Sequence, residues 1–450
     1  MRPRLVMKFG GTSLGTADNL QRAVAHVLAE PRPRLVVVSA VGGVTDLLLQ
    51  AGAAAAAGGD ADVYLAEVKR RHGEIAGKLE LDRELLADSD AELERLLLGI
   101  AMLRELSPRV TDALLAIGER SSVRLVAAAL ERRGAAARAH HAGDLGLTTD
   151  ARHGRAEPVA DWAERLRLAV DDLPDAELPV VTGFLGRSAA GDSTTLGRGG
   201  SDTSAALFGA ALGVDEIQIW TDVPGFLRAD PRVVAEAELI PAMRFEEAAE
   251  LASFGAKVLH PHSIEPARRA GIPVRVLGTF AVAPGGAPPV AEQGSCISDD
   301  TAPEPVRALA LQTGVQSLTV RSLGMLDAPG FLARLFEVFA RHCISIDVIA
   351  TSEVSVSMTF DGQGMDLGPA VAEVGGFAEV GPIRQRAILC LVGAGLRRDA
   401  GLLGRVFQTL GSAGIPVHVV SQGASRINVS LVLDPPQGPE AMRLLYRELF

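Results

Sequence analysis

The N-terminal part of the chain, up to Val41, alternates between short apolar runs and one segment with helical spacing. The runs RLVMKF (4–9) and RLVVVSAV (34–41) have the composition of buried strands, and each is followed by a glycine pair. Between them, ADNLQRAVAHVLAE (17–30) repeats its apolar residues with the period of a helix. A strand, a helix and a strand in direct succession predict a βαβ unit, and hence a parallel sheet.

The same alternation of strand-like and helix-like segments continues through most of the chain, which predicts a large α/β domain. The pattern predicts strands in 177–186, 216–225 and 272–278, and helices in a long region of about 60–135, in 203–212 and in 245–255.

A Pro/Gly-rich stretch at 283–295 separates this domain from an internal repeat with a constant offset. The segment 330–349 aligns with 401–420, and the alternating segment 355–360 falls on 426–431. A strand-like run precedes each copy, so each is a β-α-β-β-like module. Such modules can be structural padding, but paired α+β modules behind an enzyme domain favour a regulatory or dimerising role.

The amino-acid composition argues against several classes of protein. A net charge of −11 and an aromatic content of 4% argue against a nucleic-acid partner. The apolar runs are all far shorter than a membrane-spanning helix requires, so we expect no membrane span and no membrane partner. The three cysteines (Cys296, Cys343 and Cys390) are odd in number and far apart, which is typical of thiols in a reducing cytoplasm.

The stretch MKFGGTS (7–13) has the elements of a phosphate site. Glycines at a strand–helix turn let backbone N–H groups approach an anion, and the helix N-terminus and Lys8 add positive potential. The spacing differs from that of the G-x-x-x-x-G-K-[ST] loop, which the sequence lacks. Taken alone, a tight turn beside an exposed lysine explains the stretch equally well.

Two further stretches contain polar side chains of interest. One, with Ser39 and Thr45, lies after the second strand, and the other, with Glu119, lies within a helix. Ser39 and Thr45 follow the second strand, at the edge where open α/β sheets bind ligands, although Thr45 can equally cap the next helix. Glu119 lies in a helical run among apolar residues, and a buried glutamate needs a partner. Alternatively, Glu119 is exposed and forms an ion pair with Arg120 or Arg124.

The stretch TTLGRGGSDTSAA (194–206) sets Arg198 and Asp202 four residues apart across two glycines and a serine. It can be a plain surface turn, or a turn that holds charged ligands with backbone amides. The segments WTDVPGFLRADPRVV (220–234) and FGAKVLHPHSIEPA (254–267) also end strands or helices with polar residues, and each can be an ordinary loop.

Taken in order, the segments KFGGTS, GERSS, TTLGRGGSDTSA, WTDVPG, ADPR and FGAKVLHP resemble the aspartate kinases, members of the amino-acid kinase fold. The resemblance covers nearly the whole chain. It implies an α/β fold in which a mostly parallel sheet lies between helical layers, followed by two α+β ACT (ferredoxin-like) domains. The implied domains are the catalytic domain at 1–292, a linker and a strand that the second ACT module can share at 293–314, and ACT domains at 315–382 and 383–450.

The resemblance implies ATP-dependent phosphorylation of the β-carboxylate of L-aspartate to 4-phospho-L-aspartate, the first step towards lysine, threonine and methionine. Mg²⁺ is expected with ATP, but its protein ligands are not defined. The implied catalytic residues are Lys8 and Asp202; Asp202 either contacts the substrate or orients Lys8. The implied aspartate-binding residues are Ser39, Thr45, Glu119, Arg198, Gly199, Gly200 and Ser201. The implied ATP-binding residues are Lys8, Phe9, Gly10, Gly11, Thr221, Asp222, Arg232 and Lys257. The family often has a tyrosine where this chain has Leu227, which removes an aromatic contact near the nucleotide.

The first ACT module is especially similar to those of lysine-inhibited aspartate kinases. This similarity implies a lysine effector site, with threonine as the alternative effector, and a homodimer through the ACT domains that can pair into a dimer of dimers. The implied lysine contacts are Met325, Phe331, Leu332, Asp347, Ser352 and Glu353. The turn DAPG (327–330) departs from the family pattern. The competing functions are an amino-acid kinase acting on glutamate, acetylglutamate or UMP, and a non-catalytic amino-acid sensor.

Overall fold

The computed structural model describes residues 2–254, 259, 261–280, 293–322, 325, 329–361, 366–423 and 427–450. The chain forms two compact units. The first contains Met1–Phe226, Leu239–Phe245 and Val258–Thr301, and the second contains Leu227–Glu238, Glu246–Lys257 and Ala302–Phe450. Two short segments that precede residue 292 therefore group with the C-terminal unit. In the described parts of the chain, no helix is both long enough and apolar enough to cross a membrane.

The first unit contains eleven described strands and eight described helices. The strands are β1 (Leu5–Phe9), β2 (Arg34–Val38), β3 (Ala137–His140), β4 (Thr148–Thr149), β5 (Leu178–Thr182), β6 (Leu185–Ser188), β7 (Ser193–Thr195), β8 (Glu216–Thr221), β9 (Ala242–Met243), β10 (Val274–Gly278) and β11 (Ser295–Ile297). The α-helices are α1 (Ala17–Ala29), α2 (Val44–Ala57), α3 (Asp62–Lys78), α4 (Ala87–Leu103), α5 (Pro108–Arg132), α6 (Trp162–Asp171), α7 (Gly200–Leu212) and α9 (Glu265–Arg269). Helix α8 (Phe245–Ser253) lies between α7 and α9 in the sequence and is not counted among these eight.

Eight of these strands form one sheet in the order β3-β5-β2-β1-β8-β10-β11-β9. All neighbours are parallel except β10 and β11. Every residue of the central strand β1 is buried, as expected when both faces of a parallel sheet are covered. A smaller three-stranded sheet has the order β4-β6-β7. The predicted α/β fold with a mostly parallel sheet is confirmed.

The predicted helical region of 60–135 consists of three helices, α3, α4 and α5. Glu80 and Arg104, which follow α3 and α4, have φ angles of 53° and 55°, and this left-handed conformation ends a helix. Ser107 then caps α5 by accepting from the N–H of Val110 at 3.5 Å. α7 begins at Gly200, three residues before the predicted start, because Gly199 has a φ of 66° at its N-cap.

The second unit contains the repeat. Its strands are β12 (Ala308–Arg321), β13 (Ile349–Thr351), β14 (Ser355–Asp361), β15 (Glu379–Val380), β16 (Arg384–Val392), β17 (Val419–Ser421) and β18 (Asn428–Leu433). Its helices are α10 (Phe331–Arg341), α11 (Gly368–Val374), α12 (Leu402–Ser412) and α13 (Gly438–Leu449), and α8 groups with it from Glu246 onward. The alignment found in the sequence superposes both ends of α10 on those of α12, so the two helices are equivalent in the two copies.

One long strand, β12, pairs within both copies of the repeat. Its first residues, 308–312, pair with residues 388–392 of β16, which begins the second copy. A bulge follows between Gln312 and Val315, and residues 315–321 then pair with β14 of the first copy. The resulting sheet has the order β13-β14-β12-β16-β18-β17, with β15 beside β12. Both copies are thus α+β modules with antiparallel strands, and the predicted ACT-type fold is confirmed.

Candidate active site

The loops after β1 and β2 touch at the carboxyl edge of the large sheet, and glycines make this contact possible. A Cβ atom on Gly11 would lie 2.9 Å from the carbonyl oxygen of Ala40. A Cβ atom on Gly42 would lie 3.0 Å from the carbonyl oxygen of Gly11. Neither glycine can be replaced without moving backbone, so the two loops require these residues for their close approach.

A cavity of about 290 Å³ opens beside these loops. It brings together nine residues that the sequence predicts for the site: Lys8, Gly11, Ser39, Thr45, Glu119, Gly199, Gly200, Ser201 and Asp202. Phe184, Gly42, Gly43 and Gly197 also line it, and the sequence did not single them out. A larger cavity of about 480 Å³ lies at the opposite edge, around the start of β2, and contains none of the predicted residues.

Lys8 and Asp202 form an ion pair inside the cavity. Lys8 Nζ lies 2.5 Å from Asp202 Oδ1, and the two side chains are only 10% and 13% exposed. Asp202 lies in the first turn of α7, where the helix dipole also favours a negative charge. Asp202 therefore holds the ammonium group of Lys8 in place, which supports the orienting role among the two that the sequence left open.

Arg198 differs from its neighbours in the same turn. Its side chain is exposed, and it does not line the cavity. It forms no ion pair or hydrogen bond with any residue that the structure describes. The guanidinium group is therefore available to a ligand, but its side chain does not point into the cavity.

Glu119 is buried on α5, with 3% of its surface exposed. Its Oε1 atom accepts from the N–H of Ala40 at 3.3 Å, while Oε2 has no hydrogen-bond partner among the described residues. Burial raises the pKa of this carboxyl from 4.5 to about 8. The alternative of a surface ion pair with Arg120 is wrong, because Arg120 donates to Glu92 instead. The buried carboxyl is a group that a cationic ligand atom would satisfy.

Ser39 and Thr45 reach the cavity from the loop after β2 and the first turn of α2. The N-cap of α2 is Gly43, which has a φ of 77°, and no side chain caps this helix. The alternative in which Thr45 serves as a helix cap is therefore wrong. Both residues are partly buried, and both line the cavity.

The predicted nucleotide residues do not all lie at this cavity. Phe9 is buried in the core, where it stacks on Trp220 at a ring distance of 5.7 Å. Thr221 ends β8 and donates to Asp222 Oδ1 at 3.0 Å. Gly10 follows β1 and donates its N–H to the carbonyl of Trp220 at 3.2 Å. Phe9, Thr221 and Asp222 thus lie at the ends of two paired strands.

One further predicted nucleotide residue, Arg232, belongs to a segment that groups with the second unit, and another, Lys257, lies outside the described residues. Arg232 is 88% exposed and forms an ion pair with Asp230 at 2.6 Å. Both assignments remain predictions from the family resemblance.

The predicted effector residues lie in the first copy of the repeat. Phe331 begins α10, after Gly330 in the left-handed conformation with a φ of 93°. Leu332, Asp347, Ser352 and Glu353 are exposed, and Met325 and Phe331 are partly buried. Although the side chain of Asp347 is exposed, the surrounding residues partly desolvate its carboxyl, and this desolvation raises the pKa of Asp347 to about 6. The negative charge of Asp361 adds to the shift. Residues 327 and 328 of the DAPG turn lie outside the described residues.

The structure shows one supporting residue that the sequence reasoning missed. Asp112 on α5 is fully buried and accepts hydrogen bonds from three residues in two segments. Its donors are His153 Nδ1 at 2.8 Å, the N–H of Gly154 at 3.1 Å, and Thr195 through Oγ1 at 2.6 Å and N–H at 3.2 Å. Thr195 ends β7, three residues before Arg198, so Asp112 fixes the start of that turn.

A signal for Asp112 was present in the sequence. Asp112 and Glu119 are seven residues apart in a helix, so they lie on the same face two turns apart. Apolar residues surround both, and two acidic side chains on one apolar face indicate a buried polar network.

Comparison with known proteins agrees with this geometry. Residues 3–278 match the model of the amino acid kinase family, and residues 318–369 and 389–449 match the ACT domain model. The lysine-sensitive aspartokinase 3 of Escherichia coli (strain K12) is 36% identical over 460 residues, which cover 99% of each chain. The chain belongs to the aspartokinase family. Aspartokinase 1 of the chloroplast of Arabidopsis thaliana is 37% identical over 463 residues, covering 99% of this chain and 80% of that protein.

Solved structures of the family extend the match to the whole fold. The crystal structure of E. coli aspartokinase III with lysine and aspartate in the T-state has a TM-score of 0.82 and 33% identity, with 99% of each chain covered. The R-state structure of the same enzyme with aspartate and ADP has a TM-score of 0.79 and 34% identity, again over 99% of each chain. The enzyme class is therefore that of a kinase acting on the carboxyl group of aspartate.

Proposed function

We propose that the cavity beside Lys8 is where ATP phosphorylates the β-carboxylate of L-aspartate. The observation that carries this proposal is the buried Lys8–Asp202 ion pair, set between the glycine loop after β1 and the N-terminus of α7. The E. coli relative has been solved with aspartate and ADP, which supports these two ligand classes. The products would be 4-phospho-L-aspartate and ADP.

The reaction needs charge compensation rather than a general base. The β-carboxylate of aspartate has a reference pKa of about 3.9, so it is ionised at neutral pH. Its oxygen forms a bond to the γ-phosphorus of ATP while the bond from that phosphorus to the bridging oxygen of ADP breaks. Two unit charges about 4 Å apart repel by about 4 kcal/mol at an effective dielectric of about 20. Lys8 and the N-terminal amides of α7 would offset this repulsion in the transition state.

The remaining residues would hold aspartate in one orientation. Glu119, whose Oε2 atom has no partner among the described residues, would accept from the substrate ammonium group. Arg198 would swing from the mouth of the cavity to form a bidentate pair with a substrate carboxylate. Asp202 would keep Lys8 aimed at the transferred phosphoryl group. Thr221, Asp222, Arg232 and Lys257 stay proposed contacts of the nucleotide.

Mg²⁺ is expected at the site together with ATP, where it would neutralise part of the phosphate charge. Among the described residues, no group of three His, Cys, Asp or Glu side chains could hold a metal ion. The cavity has only the carboxylates of Glu119 and Asp202, one buried and one paired with Lys8. The ion would therefore be held mainly by phosphate oxygens, and it would supply charge neutralisation.

The test is a hydroxylamine-trapping assay for the acyl phosphate, with aspartate and ATP as substrates. We expect Lys8→Ala to lower kcat about 10²-fold or more, as for the loss of one preorganised donor to the transition state. Lys78→Ala, at an exposed position on α3, is the matched control and should keep normal turnover. Normal turnover of Lys8→Ala would show that the site is assigned wrongly. Hydroxamate formed only with glutamate or acetylglutamate, or ADP released only with UMP, would point to another amino-acid kinase, and no product with any of these substrates would point to a non-catalytic sensor.

We also propose that lysine inhibits the enzyme by binding to the first ACT module. The supporting observation is the exposed pair of carboxylates, Asp347 and Glu353, in the module that contains α10, since a lysine ligand carries two ammonium groups. The lysine-sensitive E. coli relative supports this effector. Activity measured against lysine, threonine and both together tests it, and inhibition by threonine alone would contradict it.

The proposed assembly is a homodimer through the ACT modules, with a dimer of dimers as the larger form. Sedimentation with and without lysine tests it, and a monomer at all concentrations would refute it. The proposed compartment is the cytoplasm; the three cysteines are all free in the structure, in keeping with a reducing environment.

A further inference from the structure

The sheet of the second unit curls around a cavity of about 370 Å³. Its edge strands β13 and β17 meet, where Ser421 Oγ donates to the carbonyl oxygen of Ile349 at 3.4 Å. The cavity contains none of the predicted effector residues. Its walls are formed by residues of β12, β14, β15, β16, β17 and β18.

The inner face of β12 changes character along its length. Val315 packs with Ile388 and Val432 in a small apolar cluster. Alternate residues further along the strand share that face, and these are Ser317, Thr319 and Arg321. The residues between them, including Leu318 and Val320, belong to the core of the first ACT module. The cavity therefore has an apolar floor and a polar, cationic wall.

Cationic side chains dominate this wall. Arg384 and Arg386 lie on β16, where Arg384 is opposite Ser317. Asp434 compensates one of these cations, since it forms an ion pair with Arg386, and it also lies 3.1 Å from His418 Nε2. Arg384 also lowers the pKa of the Asp434 carboxyl, but it does so from a distance and less than His418 and Arg386 do.

Arg321 and Arg384 lack a direct partner of this kind. Both are exposed at the open side of the cavity, and neither forms an ion pair or hydrogen bond with any residue that the structure describes. The one carboxylate that lines the cavity, Glu379, lies opposite Arg321 in the β15 pairing, yet no ion pair joins them. Two guanidinium groups thus face one cavity without an anionic group in contact.

We propose that this cavity is a second small-molecule site, which binds a metabolite through a phosphate or carboxylate group held by Arg321 and Arg384. A guanidinium group matches either anion with two parallel N–H donors. The hydroxyls of Thr319 and Ser357, 3.1 Å apart, add polar contacts on the same wall. Val419 and Val432 would take an apolar part of the ligand. The volume is within the range of small-molecule sites, and convergent polar groups over an apolar floor are typical of them.

Inorganic phosphate is the first probe, and malonate is the second. Each is titrated calorimetrically into the full-length protein in saturating ADP and aspartate, so that the proposed catalytic cavity is filled. Chloride is adjusted to keep the ionic strength constant, because screening alone changes weak anion binding. The double variant Arg321→Gln/Arg384→Gln is compared with Arg447→Gln, an exposed arginine of α13 in the same unit.

We expect at least one probe to bind the unaltered protein and Arg447→Gln with equal affinity, and the double variant at least tenfold more weakly. Turnover without effector should be the same in all three proteins. Equal binding by all three would mean an adventitious ion only, and binding of neither probe would also overturn the proposal. Intact binding with altered sedimentation in the double variant would instead assign this face to a contact between copies of the chain.

Discussion

Glu119 provides a direct test of the site, because its ionisation links substrate binding to stability. Burial raises the pKa of this carboxyl from 4.5 to about 8. The folded state therefore keeps the proton between pH 4.5 and 8, while the unfolded state releases it. It follows that the folded state is destabilised progressively as the pH rises through this window.

The magnitude follows from the size of the shift. Each pH unit within the window costs about 1.4 kcal/mol, so between pH 4.5 and pH 7 the protein loses about 3 kcal/mol of unfolding free energy from this one group. Glu119→Gln cannot ionise and lacks this loss. The variant should therefore gain stability relative to the unaltered protein as the pH rises, and the difference should level off above pH 8.

Tryptophan fluorescence can follow the unfolding of the first unit, which contains Glu119. The chain has two tryptophans, Trp162 and Trp220, and both belong to the first unit. Urea unfolding is measured at several values between pH 5 and 8.5 for the unaltered protein, Glu119→Gln, and Glu131→Gln, an exposed position near the end of the same helix. Parallel stability profiles of the unaltered protein and Glu119→Gln would refute the reasoning.

The same carboxyl should make aspartate binding depend on pH. A bound ammonium group favours the carboxylate, so binding releases the proton of Glu119 below pH 8 and the KM for aspartate falls as the pH rises. Glu119→Gln should raise this KM about 30-fold or more, as for one lost partner of a buried charged pair, and should remove its dependence on pH. A pH-dependent KM in the variant would show that another group carries the effect.

Three further predictions concern stability and positioning. His72 is buried, its ring nitrogens have no partner among the described residues, and burial lowers its pKa to about 4, so stability should fall by up to about 3 kcal/mol as the pH drops from 6.5 to 4. His72→Phe should remove that fall, as measured by urea unfolding at pH 7 and 5. Thr195→Val removes one hydrogen-bond donor to Asp112 and should raise the KM for aspartate about tenfold with little change in kcat. Thr195→Ser keeps the hydroxyl and should restore the KM. An equal fall in kcat together with a higher KM for ATP would instead indicate general disruption of the site. Gly11→Ala should destabilise the protein and abolish turnover because its Cβ atom would meet backbone, while Gly73→Ala, with open space inside α3, should slightly raise the melting temperature.

The sequence predicts the strands and helices that surround the site, because these elements depend on local patterns of apolar and polar residues. Apolar runs and helical spacing locate β1, α1 and β2, and parallel pairing then brings the carboxyl ends of the strands together. This is sufficient to place Lys8 beside Ser39. The register confirms the reasoning, since Phe9 lies opposite Val38 in the parallel pair.

Other features depend on contacts that no local pattern encodes. Asp112 meets His153 and Thr195 at separations of 41 and 83 residues, so only the fold reveals the network. The double pairing of β12 depends on a bulge at Gln312, and an alternating pattern alone does not indicate where a strand changes partner. The composition of the turn at Arg198 predicts a glycine-rich loop, but it does not determine that the side chain faces solvent.

The charges of the cavity also explain how it can remain folded before aspartate arrives. Lys8 and Asp202 neutralise each other, and Glu119 is mostly protonated at pH 7 because its pKa is about 8. The cavity therefore contains no uncompensated buried charge among the described residues that line it. Aspartate brings an ammonium group that can replace the proton of Glu119, and its carboxylates then require cations, which Lys8 inside and Arg198 at the mouth can supply. The arriving ammonium group thus replaces the positive charge of the proton that leaves Glu119, whereas the two carboxylates of aspartate add two negative charges, which Lys8 and Arg198 would offset.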